Sequence, residues 1–489
     1  MEVRVRYAPS PTGPQHIGGA RSALFNYLLA KKTGGTFVLR SEDTDLERSS
    51  KESEQYIIEA LKWLNINWDE GLEVGGPYGP YRQTERLDIY QKYTQRLLDE
   101  GFAYYCYCSE EELEAERQAL MAKGETPRYL GKCRHLTRAQ QAEYEAEGRK
   151  PVVRFRVPAG RQIVINDAVR GKVIFESDGI GDYVIVKSDG VPTYNFAVVI
   201  DDSLMKITHV IRGEEHLSNT PRQILLYQAL GIEEPQFAHV SLILNSEGKK
   251  MSKRDGDTNV VDYKLKGYLP EAVVNFIALL GWSPSGEQEF FSREELCQEF
   301  SLEKVSKSPA IFDINKLNHI NAHYMKLADP ERLAGLALPY LQEMGVFPAA
   351  DLSADQKNWL KNFVAAVVDH LSYMAEIKEF VPYVYGVDVP EADEEAAEFM
   401  KAEQIPAVLG LFREKIEQAE ELNMDAVKAM MKQIGKELKV GGKLVFMPVR
   451  IALTGQMHGP ELHHLIPLMG KEIVLKRLAS SVKNLGIDC

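Results

Sequence analysis

Val3-Arg4-Val5-Arg6-Tyr7-Ala8-Pro9-Ser10-Pro11-Thr12-Gly13-Pro14-Gln15-His16-Ile17-Gly18-Gly19-Ala20 is the stretch on which the fold turns. Val3, Val5 and Tyr7 alternate with Arg4 and Arg6, the two-residue period of a strand. The proline-rich residues 9–14 break regular structure. From Ile17, the apolar residues Ala20, Ala23, Leu24, Tyr27 and Leu28 follow helical spacing, and Gly34-Gly35 suits a left-handed helix end. Phe37-Val38-Leu39 reads as a buried strand. Strand, loop, helix and strand in that order make a βαβ unit, the building block of a doubly wound nucleotide-binding sheet. A second helix is expected behind a capping box of Ser49 and Glu52, with Tyr56, Ala60, Leu61 and Leu64 inside it.

Further along the chain this pattern is interrupted. Residues 100–190 hold a cysteine cluster, a charged helical stretch at 110–123 and a strand-like run, Val152-Val153-Arg154-Phe155-Arg156-Val157. Strand and helix alternation is expected to resume near Tyr183-Val184-Ile185-Val186 and to run to about residue 260. Residues 100–190 therefore read as an insertion in the first domain. Beyond residue 265, stretches 270–280, 317–327, 355–377 and 425–438 carry helical apolar spacing, and strand signals are scarce.

At 489 residues the chain is too long for one core, and a prior of roughly 150 residues per domain suggests about three. With 44% hydrophobic and 26% charged residues it has the profile of a folded globular protein. No stretch approaches 18 uninterrupted apolar residues, so no membrane partner is expected. The opening Glu2-Val3-Arg4-Val5-Arg6 lacks the apolar core of a secretory leader, and five cysteines are too few for a disulfide scaffold. A cytoplasmic location is expected. The net charge of −13 argues against indiscriminate binding to nucleic acid. Its distribution is uneven, however. Residues 351–400 balance at −8, whereas 426–450 (Lys428, Lys432, Lys436, Lys439, Lys443 and Arg450 against Glu437) balance at +5. One basic stripe on an acidic chain fits either a nucleic-acid partner held on one face or a solvated helix surface.

Two loops carry chemistry. His16, Gly18 and Gly19 stand at a helix start, where unpaired N–H groups and the helix dipole attract phosphate. A lone histidine there serves packing or capping as readily as binding. Far downstream, Gly248-Lys249-Lys250-Met251-Ser252-Lys253-Arg254-Asp255-Gly256 places four cations between glycines, a loop able to close over a triphosphate or simply to be solvated.

Taken together, His-x-Gly after the first strand and Lys-Met-Ser-Lys-Arg downstream resemble the class I aminoacyl-tRNA synthetases. Five further stretches are similar to the bacterial glutamyl-tRNA synthetases: Ala8-Pro9-Ser10-Pro11-Thr12-Gly13, Arg40-Ser41-Glu42-Asp43-Thr44-Asp45, Tyr81-Arg82-Gln83-Thr84-Glu85-Arg86, Pro192-Thr193-Tyr194-Asn195-Phe196-Ala197 and Ile211-Arg212-Gly213-Glu214-Glu215-His216. The match runs in order along the whole chain. Gly19 departs from the class motif, which has a second histidine there.

The resemblance implies an α/β Rossmann-like catalytic domain (1–99 and 191–260) with an α+β acceptor-end insertion (100–190). A stem-contact domain (261–329) and an all-α anticodon-binding region (330–489) would follow. It implies ATP-dependent attachment of L-glutamate to the 3′ end of tRNA(Glu) through a glutamyl-adenylate. By the same resemblance His16 and Lys253 are catalytic, and Gly18, Glu215, Lys250 and Ser252 join them on ATP. Arg6 and Arg212 would take the carboxylates by bidentate forks, and Glu42 the α-ammonium, with Ala8, Ser10 and Tyr194 completing the pocket. Val198 and His216 fall at pocket positions that vary in the family. Mg²⁺ is expected on the phosphates without a dedicated cage.

Cys106-Tyr107-Cys108, then 24 residues, then Cys133-Arg134-His135 offers three thiolates and an imidazole, suited to structural Zn²⁺. This spacing matches the zinc site of part of the family. The family members that reject tRNA(Gln) use an arginine near the first anticodon-domain helices. Residues 333–412 contain no arginine, and Leu371-Ser372-Tyr373-Met374-Ala375-Glu376-Ile377 stands in that neighbourhood. A non-discriminating enzyme that also charges tRNA(Gln) with glutamate is therefore expected, acting as a monomer. The competing readings are a glutaminyl-tRNA synthetase, a shorter paralogue that glutamylates a tRNA base, and a catalytically silent tRNA- or nucleotide-binding paralogue.

Overall fold

Strand β1 (Arg4–Tyr7) lies at the centre of a five-stranded parallel sheet. The computed structural model describes residues 2–249, 251, 258–348, 351–389 and 391–484. On one side β1 pairs with β2 (Thr36–Leu39), followed by β3 (Glu70–Gly71); on the other it pairs with His209–Gly213, then Gln236–Val240. Strand order thus reverses direction at β1, and in such sheets the crevice beyond the carboxyl ends at the reversal is where ligands bind.

Helix α1 (Ile17–Thr33) returns the chain from β1 to β2, and its buried face includes Ile17, Ala20, Ala23, Leu24, Phe25 and Leu28. It ends on Gly34, whose φ of 63° is the left-handed turn foreseen there. Gly35 is required by close approach, because a Cβ would sit 2.1 Å from the Val3 carbonyl oxygen.

Helix α2 (Lys51–Trp63) is capped one residue later than the sequence suggests. The Ser50 hydroxyl accepts from the Ser53 amide, while Glu52 accepts from Tyr56 Oη four residues on. Tyr56 is exposed; the buried face is Ile57, Ile58, Ala60 and Leu61.

The interruption after residue 100 forms its own small layers. Ala103–Cys106, Val152–Phe155 and Tyr183–Val186 make a three-stranded antiparallel sheet, and Gln162–Asp167 pairs with Gly171–Glu176 as a hairpin. Tyr183–Val186, where alternation was expected to resume, closes this antiparallel sheet; the parallel sheet resumes only at His209.

The chain divides into two compact units, Met1–Tyr263 with Val273–Ile314, and Lys264–Ala272 with Asn315–Cys489. The second is helical, built on Pro330–Glu343, Ala354–Val367, Ile405–Gln418, Met424–Glu437, Gly442–Thr454 and Leu462–Asn484, the last interrupted by non-helical Gly470. The continuous helix expected over 355–377 stops at Val367. Leu371 and Tyr373 turn extended, and the Ser372 carbonyl is taken by Asn321 Nδ2 at 2.6 Å. Arg477, fully buried, donates to the carbonyls of Pro382, Tyr383, Tyr385, Gly386 and Leu453.

The basic stripe is shorter than its composition suggests. Lys428, Lys432, Lys436, Lys439 and Lys443 are exposed, but Arg450 is half-buried and donates to the Pro460 carbonyl at 2.8 Å. Among the described residues no helix is long and apolar enough to cross a membrane.

Candidate active site

At the carboxyl ends of β1 and His209–Gly213 a cavity of about 1300 Å³ opens beside the start of α1. Its lining includes Arg6, Ala8, Ser10, His16, Gly18, Glu42, Tyr194, Arg212, Glu215 and His216. Val198 is fully buried elsewhere and does not line it.

His16 caps α1. Its Nδ1 accepts from the Gly18 amide at 3.2 Å, which fixes the ring at the positive end of the helix. At Gly19, where the class motif has its second histidine, a Cβ would meet the Tyr7 hydroxyl at 2.6 Å and Gln15 Nε2 at 2.9 Å, so a side chain there would have to displace these two ends. The Tyr7 and Gln15 side chains hydrogen-bond each other, and burial pushes the Tyr7 phenol up to about 12, so it stays protonated.

Lys250, Ser252 and Lys253 lie outside the described residues. Their described neighbours on both sides, Met251 and Asn259, line the same cavity as His16. The return segment is stitched to the helix start, with Ile17 N–H donating to the Thr258 carbonyl at 3.0 Å and Val260 N–H to the Gln15 carbonyl at 2.9 Å.

The two arginines are held in different ways. Arg6 Nε and Nη2 lie 3.2–3.3 Å from the Asp202 carboxylate. Asp202 also meets Arg40 Nη1 at 2.9 Å, and Arg40 in turn donates to Glu42 Oε1 at 2.9 Å. Burial raises the Glu42 carboxyl above its ordinary value against the opposing pull of Arg40 and Arg6. Arg212 donates to His239 Nε2 (3.2 Å), Tyr194 Oη (3.2 Å), Thr220 Oγ1 (2.9 Å) and Gln223 Oε1 (2.7 Å). His216, 3.2 Å from Tyr194 Oη, is held neutral: burial, with the charges of Arg212 and Arg6, lowers its imidazole to about 3. Glu215 folds back over Gly213, where a Cβ would fall 2.2 Å from its carboxylate.

Asp201 and Asp202, absent from the sequence reading, organise this region. Asp201 accepts from Arg86 Nε at 2.7 Å, Gln83 Nε2 at 2.9 Å and Tyr90 Oη at 2.8 Å. Gln83 and Arg86 of the Tyr81–Arg86 stretch thus clamp the helix Tyr194–Leu204 rather than the cavity. The available signal was two adjacent aspartates inside an otherwise apolar helix.

In the insertion, the thiols of Cys106, Cys108 and Cys133 lie within 4.8 Å of one another, with 3.5 Å between Cys108 Sγ and Cys133 Sγ. Tetrahedral zinc with Zn–S near 2.3 Å separates its sulfurs by ~3.8 Å, so the three thiols fit that ion. His135 is exposed and stands outside this group. The Tyr129 hydroxyl is there instead, 3.5 Å from Cys106 Sγ and 3.6 Å from Cys108 Sγ, accepting from the Cys133 amide at 2.8 Å.

A sheet reversing at β1, a capped helix start and a cavity lined by charges of both signs make a ligand site of the doubly wound class, of the kind that receives phosphate at the helix start. Residues 2–319 match the catalytic domain of the tRNA synthetases class I (E and Q), and residues 332–482 match an anticodon binding domain. The chain belongs to the class I tRNA synthetases, the ligases that use ATP to load tRNA for protein biosynthesis. It is 71% identical over 479 residues to the glutamate–tRNA ligase of Desulfitobacterium hafniense (strain Y51), covering 98% of each chain. To the glutamate–tRNA ligase of Bacillus subtilis (strain 168) it is 53% identical, covering 98% of this chain and 99% of that one. A crystal structure of a glutamate tRNA ligase from Elizabethkingia meningosepticum in complex with its amino acid superposes with a TM-score of 0.89 at 36% identity, over 99% of this chain and 100% of that one.

Proposed function

We propose that the chain joins L-glutamate to the 3′ end of tRNA(Glu) through a glutamyl-adenylate, and also charges tRNA(Gln) with glutamate. The observation that carries the amino-acid reading is Arg212 in the cavity, its hydrogen bonds running to neutral groups, close to Arg6 and Glu42. Arg212 and Arg6 bind the two carboxylates and Glu42 receives the α-ammonium, with Ala8, Ser10 and Tyr194 completing the pocket. Asp202 engages Nε and Nη2 of Arg6, which leaves Nη1 to face the substrate. The names of the relatives support glutamate as that substrate.

ATP takes the start of α1, against His16 and Gly18, with Glu215, Lys250, Ser252 and Lys253 around it. The α-carboxylate attacks the α-phosphorus and the bond to pyrophosphate breaks. His16 and Lys253 stabilise the charge leaving on pyrophosphate, so no side-chain nucleophile is needed. A terminal hydroxyl of the tRNA then attacks the activated carbonyl and AMP departs. Mg²⁺ would neutralise phosphate oxygens, and no side chain is assigned to it. Cys106, Cys108 and Cys133 would hold Zn²⁺ as a structural cross-link, with His135 or Tyr129 for the fourth place. The 100–190 insertion serves the acceptor end, 261–329 the stem, and 330–489 the anticodon, with the five exposed lysines as a phosphate track. The enzyme works as a cytoplasmic monomer. Absence of arginine from residues 333–412 supports the wider tRNA choice.

The test charges both purified tRNAs with glutamate or glutamine. Glutamate is expected on both and glutamine on neither. Glutamine on either tRNA overturns the amino-acid reading, and an uncharged tRNA(Gln) overturns the wider choice alone.

A further inference from the structure

His239 is fully buried on strand Gln236–Val240, directly across from Arg212 in the parallel register. Its Nδ1 lies 2.6 Å from Asp167 Oδ2, and its backbone N–H also reaches that carboxylate, at 3.1 and 3.2 Å. Asp167, the last residue of hairpin strand Gln162–Asp167, is locked in turn by the amides of Val169 (2.9 Å) and Arg170 (2.7 Å) on Oδ1. A carboxylate on Nδ1 selects the tautomer that carries its proton there and leaves Nε2 as an acceptor. That acceptor faces Arg212 Nε at 3.2 Å, with the Thr220 hydroxyl 3.0 Å from the same nitrogen.

The arrangement differs from that of the neighbouring cations. Arg6 touches Asp202, and Arg40 touches both Asp202 and Glu42. Among the described residues no carboxylate lies within 4.0 Å of the Arg212 guanidinium. Asp167 reaches it only through one imidazole. A direct carboxylate would compete with an acidic substrate for the guanidinium; a neutral imidazole orients it and does not. Burial favours that neutral form, holding His239 below the ordinary imidazole range despite its bond to Asp167.

We propose that Asp167 and His239 are positioning residues for amino-acid specificity: they aim Arg212 and leave its charge for the side-chain carboxylate of the substrate. This rests on the proposed function, in which Arg212 receives one of the two substrate carboxylates, and goes beyond it in assigning the side-chain one. Asp167 comes from the hairpin in the 100–190 stretch, so the hairpin contributes to the amino-acid pocket as well as to the insertion.

The experiment measures ATP–pyrophosphate exchange on the full chain with tRNA present, giving kcat and separate KM values for glutamate and ATP. The variants are R212A, H239L, H239Q and D167N. H239L removes the acceptor, and a charged hydrogen bond of ordinary strength predicts a rise of about 10- to 100-fold in KM for glutamate. KM for ATP should stay within about twofold. H239Q offers an amide oxygen to Arg212 Nε and should recover most of the loss. D167N presents an N–H to Nδ1, reverses the tautomer and should behave like H239L, as a neutralised aspartate does in a Ser-His-Asp triad. If H239L fails to fold, the contrast between H239Q and D167N carries the same test. Wild-type KM for glutamate in folded H239L or D167N overturns the proposal, as does an equal rise in both KM values, which marks a merely structural role. R212A separates the two levels: unchanged glutamate use in R212A refutes the reading of Arg212 itself, whereas a loss in R212A with none in D167N refutes only the relay.

Discussion

Substituting Asp201 by Asn should unfold the first unit at markedly lower temperature. The carboxylate is fully buried and accepts from Arg86, Gln83 and Tyr90, with Arg40 Nε a further 3.7 Å away. Asparagine keeps the volume and one oxygen but removes the charge, leaving the Arg86 guanidinium buried without a counter-ion. Breaking a buried pair from one side costs about 3–5 kcal/mol. Arg86 keeps its bonds to the Tyr78 and Pro80 carbonyls, which favours the lower end, about 3 kcal/mol. For a unit of roughly 300 residues, an unfolding entropy of about 2.1 cal/mol/K per residue turns this into a fall in Tm of about 5 °C. Thermal unfolding followed by far-ultraviolet circular dichroism at pH 7 reads the shift directly. A double variant, D201L with R86M, removes both charges and should lose less than D201N alone. A D201N transition within about 1 °C of the unsubstituted protein would refute the pairing, as would a double variant less stable than the single one.

Two further outcomes follow from groups described above. The His216 imidazole sits at about 3 when folded against 6.5 when unfolded. The unfolded chain therefore binds a proton that the native one excludes between those values, and stability present above pH 6.5 is lost as pH falls, on the order of 1 kcal/mol per unit. Urea unfolding at pH 7.5, 6 and 5 should show H216N with a shallower decline, and an unchanged slope would count against it. Replacing the buried Arg477 by Met removes its bonds to five carbonyls, of which only that of Leu453 lies in a fully buried contact, and should cost about 1–3 kcal/mol, seen as a lower urea midpoint of the helical unit, with R477K intermediate. Equal midpoints for R477M and the unsubstituted chain would dismiss that role.

The βαβ start was legible because strand and helix periods change cleanly at the proline-rich loop, and because Gly34 takes the one backbone conformation that favours glycine. The cavity residues Ala8, Ser10, Glu42 and Arg212 were reached through the family resemblance of the stretches that hold them, at or just beyond the carboxyl ends of strands. Those that act by burial could not be reached in that way. Asp202 reaches Arg6 across 196 residues and Asp201 reaches Gln83 across 118, distances over which periodicity carries no information. His239 looked like any histidine in a strand until Arg212 stood opposite. The choice between Ser49 and Ser50 as cap is decided by where the preceding turn delivers the chain, since both serines carry the same hydroxyl. The break at residue 371 depends on Asn321 capturing the Ser372 carbonyl, a partner 51 residues away.

Central β1 has a consequence for biosynthesis. The Arg4 backbone bonds to Thr208, 204 positions later, so β1 leaves the ribosome well ahead of one neighbour and lacks it until that segment emerges. At about 5–20 residues per second the delay is roughly 10–40 s. During that time a strand with apolar Val5 and an unpaired edge is available to chaperones or to other nascent chains. Overproduction at low temperature or with extra trigger-type holdase should raise the soluble yield, whereas a permuted gene starting just before His209 would shorten the wait.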